Sequence, residues 1–192
     1  MNFNNFTIKA QEVVQKSVEL TRANGHQAIE PEHLLKAVLT EGDAVVRFIF
    51  QKLDINATNV ERPLDAALQK LPRVSGGEPY LSNNASQVID KASDIASKNG
   101  DQYVTVEALL MALFEVKSTA SSILKDAGMT RDDLKAAIDE LRKGKNATSQ
   151  SAEVSKVLNS RADYRMAYLW QTDELIMLKY GEYVKDSTLI RR

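Results

Sequence analysis

Apolar residues recur at steps of three and four over residues 10–18, where Ala10, Val13, Val14 and Val18 share one face of a helix. The same spacing returns at Ala85, Val88, Ile89 and Ala92. Thr7 and Ser82 stand just ahead of these runs, where a hydroxyl can accept a bond from an otherwise unpaired N–H of the first turn. Gly25 and Gly100, each preceded by Asn, supply the left-handed conformation that ends many helices. A short extended link follows each glycine, and then a second helix. Pro31 suits the first helical position, where a missing N–H costs nothing, and Thr105 is a natural N-cap. Glu32 and Glu107 fall in those first turns, where a carboxylate complements the helix dipole by about 0.3–1 kcal/mol. Leu34, Leu35, Val38 and Leu39 form an apolar face, matched by Leu109, Leu110, Leu113 and Phe114.

The match between the two stretches is a repeat. Shifted by 75 residues, segment 7–39 lies over 82–114 without a gap, and Ala10, Val13, Lys16, Asn24, Gly25, Gln27, Glu32, Leu34, Leu35 and Ala37 find the same residue type. With the shift reduced by one, "FIFQKLDIN" (48–56) parallels "SILKDAGMT" (122–130), which predicts a third helix in each copy. A fourth runs from near Asn56 to Leu71 and from Thr130 to about Arg142, with Thr130 and Asp133 resembling a capping box. Pro63 predicts a bend or a delayed start, because a mid-helix proline costs about 3 kcal/mol. "PRVSGGEPY" (72–80) reads as a loop between copies, and no alternating strand pattern is present. The expected fold is all-α: a duplicated four-helix repeat of about eight helices, in two pseudo-symmetric halves at 1–72 and 80–143. Residues 144–153 read as a polar linker. Residues 154–192 read as a helical tail, from the broken stripe Met166, Leu169, Trp170, Ile176, Met177, Tyr180 and Val184.

Composition narrows the function classes. The 192 residues carry 25 basic and 26 acidic side chains spread evenly, without the basic footprint of a nucleic-acid binder. No run approaches the ~18 apolar residues of a membrane span, and the start lacks a secretory leader. Cysteine is absent, which removes a disulfide framework and a thiolate nucleophile and fits a reducing, cytoplasmic setting. His26, Glu30 and His33 invite a metal hypothesis, but the spacing is not H-E-x-x-H and Pro31 separates the two histidines at a helix start. No P-loop motif and no nucleophile elbow occur. The expectation is a non-enzymatic module with no cofactor.

The Thr-capped first helix "FTIKAQEVV", the "NG" ends, "IEPEHLLKAVL", "QKLDIN" and a duplicate after a "GG" loop together resemble the Clp repeat domain. That domain is the N-terminal module of Clp-type AAA+ protein-unfolding machines, and the likeness, over roughly residues 1–145, is strongest to their disaggregase branch. The resemblance implies a regulatory domain that binds unfolded or aggregated polypeptide through an apolar groove and works with an AAA+ ring, without nucleic acid or membrane. Docking of a folded adaptor protein is the alternative. It also implies roles for Thr7, Asp101 and Glu107 as polar residues important for chaperone action. Ile89 and Ala108 fall near the groove of the second half, and Tyr103 lies in a link where it could meet an extended peptide. Chemistry alone leaves plainer readings open: Thr7 as a helix cap, Asp101 as a solvated turn residue, Glu107 as a partner of the helix dipole. The position matching Asp101 in the first copy is His26, so the acidic pair belongs to the second half alone. The family's nucleotide-binding module is not recognisable after residue 153.

Overall fold

The computed structural model describes residues 3–74 and 77–151, together with the short pairs 178–179 and 182–183. Among them are eight α-helices. The first half holds α1 (Ile8–Ala23), α2 (Pro31–Glu41), α3 (Asp43–Lys52) and α4 (Thr58–Gln69). The second holds α5 (Asn83–Lys98), α6 (Val106–Glu115), α7 (Thr119–Asp126) and α8 (Arg131–Arg142).

The helix starts follow the capping chemistry. The hydroxyls of Thr7, Ser82, Thr105 and Thr130 each accept from the N–H three residues on, at 3.1–3.3 Å. Pro31 occupies the first turn of α2, and Gly25 and Gly100 take φ of 70° and 73° beyond the ends of α1 and α5. Pro63 lies inside α4, which begins at Thr58, so the delayed start, one of the two expectations for it, does not occur. The Asn56 side chain accepts from Thr58 N–H, so the start is fixed ahead of the proline. The third helices also begin earlier than their apolar runs suggest, α3 directly after Gly42 and α7 after the Ser118 cap.

Helices α2 and α6 form the centre. All of Val106–Phe114 is buried, the signature of a helix surrounded on every side, and Leu34 and Leu35 are almost fully enclosed on α2. Contacts between the halves are reciprocal: α2 meets α6, α1 meets α6 as α5 meets α2, and α3 meets α8 as α7 meets α4. The Lys52 ammonium reaches the Glu140 carboxylate at 2.9 Å across the α3–α8 seam.

The backbone joins the halves in the same reciprocal way. Strands β1 (Ala28–Ile29) and β2 (Tyr80–Leu81) pair in parallel, and Phe6 bridges Val104 in parallel. The residue before α5 thus pairs with the link of the first half, and the residue before α1 with the link of the second. Ser82 N–H donates to Ile29 carbonyl at 3.1 Å, and 75 residues earlier Thr7 N–H donates to Val104 carbonyl at 2.9 Å. Two-residue strands are too short to leave an alternating pattern, so the sequence does not announce them.

Within residues 144–153, expected to be a polar linker, Asn146, Ala147 and Gln150 bond to the helical domain. Lys143 and Gly144 take left-handed φ of 46° and 73°, which turns the chain back from the end of α8. Of the expected tail helix, Leu178–Lys179 and Glu182–Tyr183 are described as strands β3 and β4, paired antiparallel. The rest of that expectation, including Met166, Leu169, Trp170, Ile176, Met177, Tyr180 and Val184, lies outside the described residues.

Candidate functional site

The second half carries a groove of about 240 Å³ between α5, α6 and α8. Its apolar lining comes from Ile95, Ala108, Met111 and Ile138, and its rim from charged side chains of all three helices. On the rim, Glu115 accepts from Lys91 at 2.9 Å and from Arg131 at 2.8 Å, and Lys135 pairs with Asp139 at 2.6 Å. Burial pushes the Glu115 carboxyl up, but the bonds from Lys91 and Arg131 outweigh it and hold the group below the usual carboxylate range. Lys98 adds a further positive charge at the same mouth.

Glu107 lines this groove yet is 3% exposed. Burial is the dominant influence and raises its carboxyl above the ordinary range. Its own backbone N–H, Arg142 and the Thr105 hydroxyl pull the other way. Position 108, a methyl in this half, is an imidazole in the first half, where His33 is fully enclosed.

Behind the groove, one guanidinium serves two acids. The Arg142 guanidinium donates to Asp101 Oδ1 and stands 4.0 Å from Glu107 Oε1. Its Nε and Nη2 also donate to the Lys145 carbonyl, each at 3.2 Å. Asp101 Oδ1 also accepts from the Ala147 N–H at 2.8 Å, and the Asp101 side chain is closed to solvent.

The residues singled out from the sequence therefore separate. Glu107 and Ala108 line the groove. Thr7 is 1% exposed and caps α1. Asp101 is held behind the groove rather than in a solvated turn. Ile89 and Tyr103 are half-buried and stand outside the groove lining. Sequence reasoning missed Ile95, Met111 and Ile138, which sit on the periodic faces of α5, α6 and α8 and look like ordinary core positions. It also missed Arg142, whose partners lie 41 and 35 residues back in the chain.

In the first half the two histidines bond to each other. Glu30 N–H donates to His33 Nδ1 at 3.0 Å, and His33 Nε2 lies 2.9 Å from His26 Nδ1. With Nδ1 accepting, His33 carries its proton on Nε2 and donates to His26. Among the described residues no group of three potential ligands gathers to hold a metal, and no helix is long and apolar enough to cross a membrane.

Residues 5–127 match the family model described as the Clp repeat (R) N-terminal domain. The chain is 54% identical over 153 residues to the chaperone protein ClpB of Bacteroides thetaiotaomicron and 51% identical to that of Porphyromonas gingivalis. Each match covers 80% of this chain but 18% of the relative's length. The fold is that of the Hsp104 N-terminal domain from Candida albicans, with a TM-score of 0.70, 27% identity, and coverage of 78% of this chain and 99% of that one. The duplicated helices, the capped starts and these matches agree: the chain belongs to the Clp repeat N-terminal domain family.

Proposed function

We propose that this chain is the substrate-recognition and regulatory module of a ClpB-type disaggregase, and that its α5/α6/α8 groove takes short apolar segments of unfolded polypeptide. The observation that carries the reading is the groove itself: an apolar floor of Ile95, Ala108, Met111 and Ile138 inside a ring of charges. Such a site gains from a few apolar side chains of a ligand while leaving its backbone solvated. It provides no directed set of buried hydrogen bonds, so binding is weak and tolerant of sequence, as a chaperone requires. The small Ala108 side chain supports the reading, because the matching His33 ring in the first half is fully enclosed. Glu107 and Ala108 act at the groove, Ile89 and Tyr103 beside it, and Thr7 and Asp101 at one remove by holding the elements that frame it. ATP hydrolysis would belong to an AAA+ ring, working in the cytoplasm on aggregated protein.

The test is a titration of the chain with a fluorescently labelled, permanently unfolded polypeptide, followed by anisotropy. Ile95 is partly exposed, so Ile95→Glu places a charge on the groove floor without entering the core. Binding should weaken at least about tenfold, roughly the 1.4 kcal/mol that one buried aliphatic contact supplies. Unchanged binding removes the groove from the mechanism. Tight, saturable binding of a folded partner with no affinity for the unfolded chain would favour the adaptor alternative.

A further inference from the structure

The segment 144–150 is held by polar bonds rather than by packing. From Lys143 to Ser151 one side chain is buried, that of Ala147. The bonds are numerous. Gln102 N–H donates to the Ala147 carbonyl at 2.9 Å, and Ala147 N–H returns a bond to Asp101 Oδ1. The Asn146 amide reaches the Gly100 carbonyl at 3.3 Å. Further on, Ile8 N–H donates to the Gln150 carbonyl at 2.8 Å, and the Gln150 amide donates to the Asn4 carbonyl at 2.9 Å. The strap therefore crosses from the link of the second half to the start of α1.

Its clasp is incompletely satisfied. Asp101 Oδ1 takes both the Arg142 guanidinium and the strap N–H, whereas Oδ2 is buried without a partner among the described residues. Opening the strap would let water reach that oxygen and relieve its desolvation. A segment with little apolar burial and exposed hydrogen bonds belongs to the low-stability end of a fold. We propose that residues 144–150 are a detachable strap clasped by Asp101, which opens without unfolding the helices and so lets the stretch that follows α8 extend away from them. Full release frees about 25 Å of tether, at roughly 3.5 Å per residue. Asp101 is then also a positioning residue for the strap, a second role beside its support of the elements that frame the groove.

Amide hydrogen exchange by NMR on the 192-residue chain tests this directly. Gln102 and Ile8 report the strap, because their N–H groups donate to it, and Leu110 in α6 reports the core. Gln102 and Ile8 should exchange at least about tenfold faster than Leu110. Exchange of all three at one common rate would overturn the proposal, since the strap would then open only with global unfolding. Ala147→Asp puts a carboxylate at the one buried side-chain position of the strap, on the residue whose N–H bonds Asp101. It should speed exchange at Gln102 and Ile8 about tenfold more with Leu110 unchanged. Unchanged protection at Gln102 and Ile8 in that variant would equally sink the idea. A variant that retains full peptide binding while its strap is open separates this device from the groove.

Discussion

His33 Nε2 lies 2.9 Å from His26 Nδ1, and the two rings meet edge to face with centroids 5.1 Å apart. Both imidazoles are held below their ordinary range. For His33 burial is the main cause, with the His26 charge second, and its pKa falls to about 4; for His26 burial leads and Arg73 adds to it.

A histidine whose folded pKa is depressed stabilises the fold fully above the unfolded value of 6.5 and loses that contribution as pH falls through it. Urea denaturation between pH 7.5 and 4.5 should show stability declining below about pH 6.5, by up to about 1.4 kcal/mol per pH unit for each histidine. A nitrogen–proton correlation spectrum at pH 7 should show His33 as the neutral Nε2–H form. A protonated His33 at pH 6 in that spectrum would contradict the assignment.

Thr7→Ala removes the hydroxyl that accepts from Ala10 N–H at 3.2 Å in a buried setting. The loss should be about 1 kcal/mol, or up to 2. Ser82→Ala should cost at least as much, because that hydroxyl also donates to Glu30 Oε2 at 2.7 Å, in the other half. Denaturant midpoints measure both. If Thr7 acts by capping alone, peptide affinity of the folded variant stays at the parental value.

Arg142→Met leaves Asp101 and Glu107 buried without their shared cation. The expected loss is about 3–5 kcal/mol, read as a fall in the thermal midpoint. A partial rescue should follow from pairing Arg142→Met with Asp101→Asn, since that removes the carboxylate which bonds the guanidinium directly.

Gly42→Ala tests the close passage of the α2–α3 turn over α6. An added methyl would sit 2.6 Å from Val106 Cγ1 and 2.6 Å from the Val38 carbonyl oxygen, so something must shift. Overpacking of this kind costs about 1–3 kcal/mol. The φ there is −86°, so the loss would come from space rather than from backbone strain. Equilibrium unfolding of the variant gives the number.

What could be read in advance is what the chain decides over three or four residues. Thr7, Ser82, Thr105 and Thr130 bond three positions ahead, and Gly25 and Gly100 act on their own backbone, so their roles show in one dimension. Asp101 looked like a solvated turn residue because its partners, Arg142 and Ala147, arrive only when α8 returns to the link. The bonds that Asn146, Ala147 and Gln150 make from the expected linker 144–153 were not legible, because they are polar and point to groups far away in sequence. Ile95, Met111 and Ile138 carry no mark that separates a groove wall from a core wall. The delayed start expected at Pro63 fails for the opposite reason: a local penalty was overridden by a helix start already fixed at Thr58 and by burial of Val60 and Leu64 around it.

The exchanged strands have an evolutionary corollary. One half by itself owns a lead segment like Asn5–Phe6 and a receptive link like Val104, but cannot close the one upon the other. Two copies of such a unit could satisfy one another, which makes the chain a homodimer written on a single polypeptide. Cutting between residues 74 and 77 should therefore yield fragments that reassociate rather than two proteins that live apart.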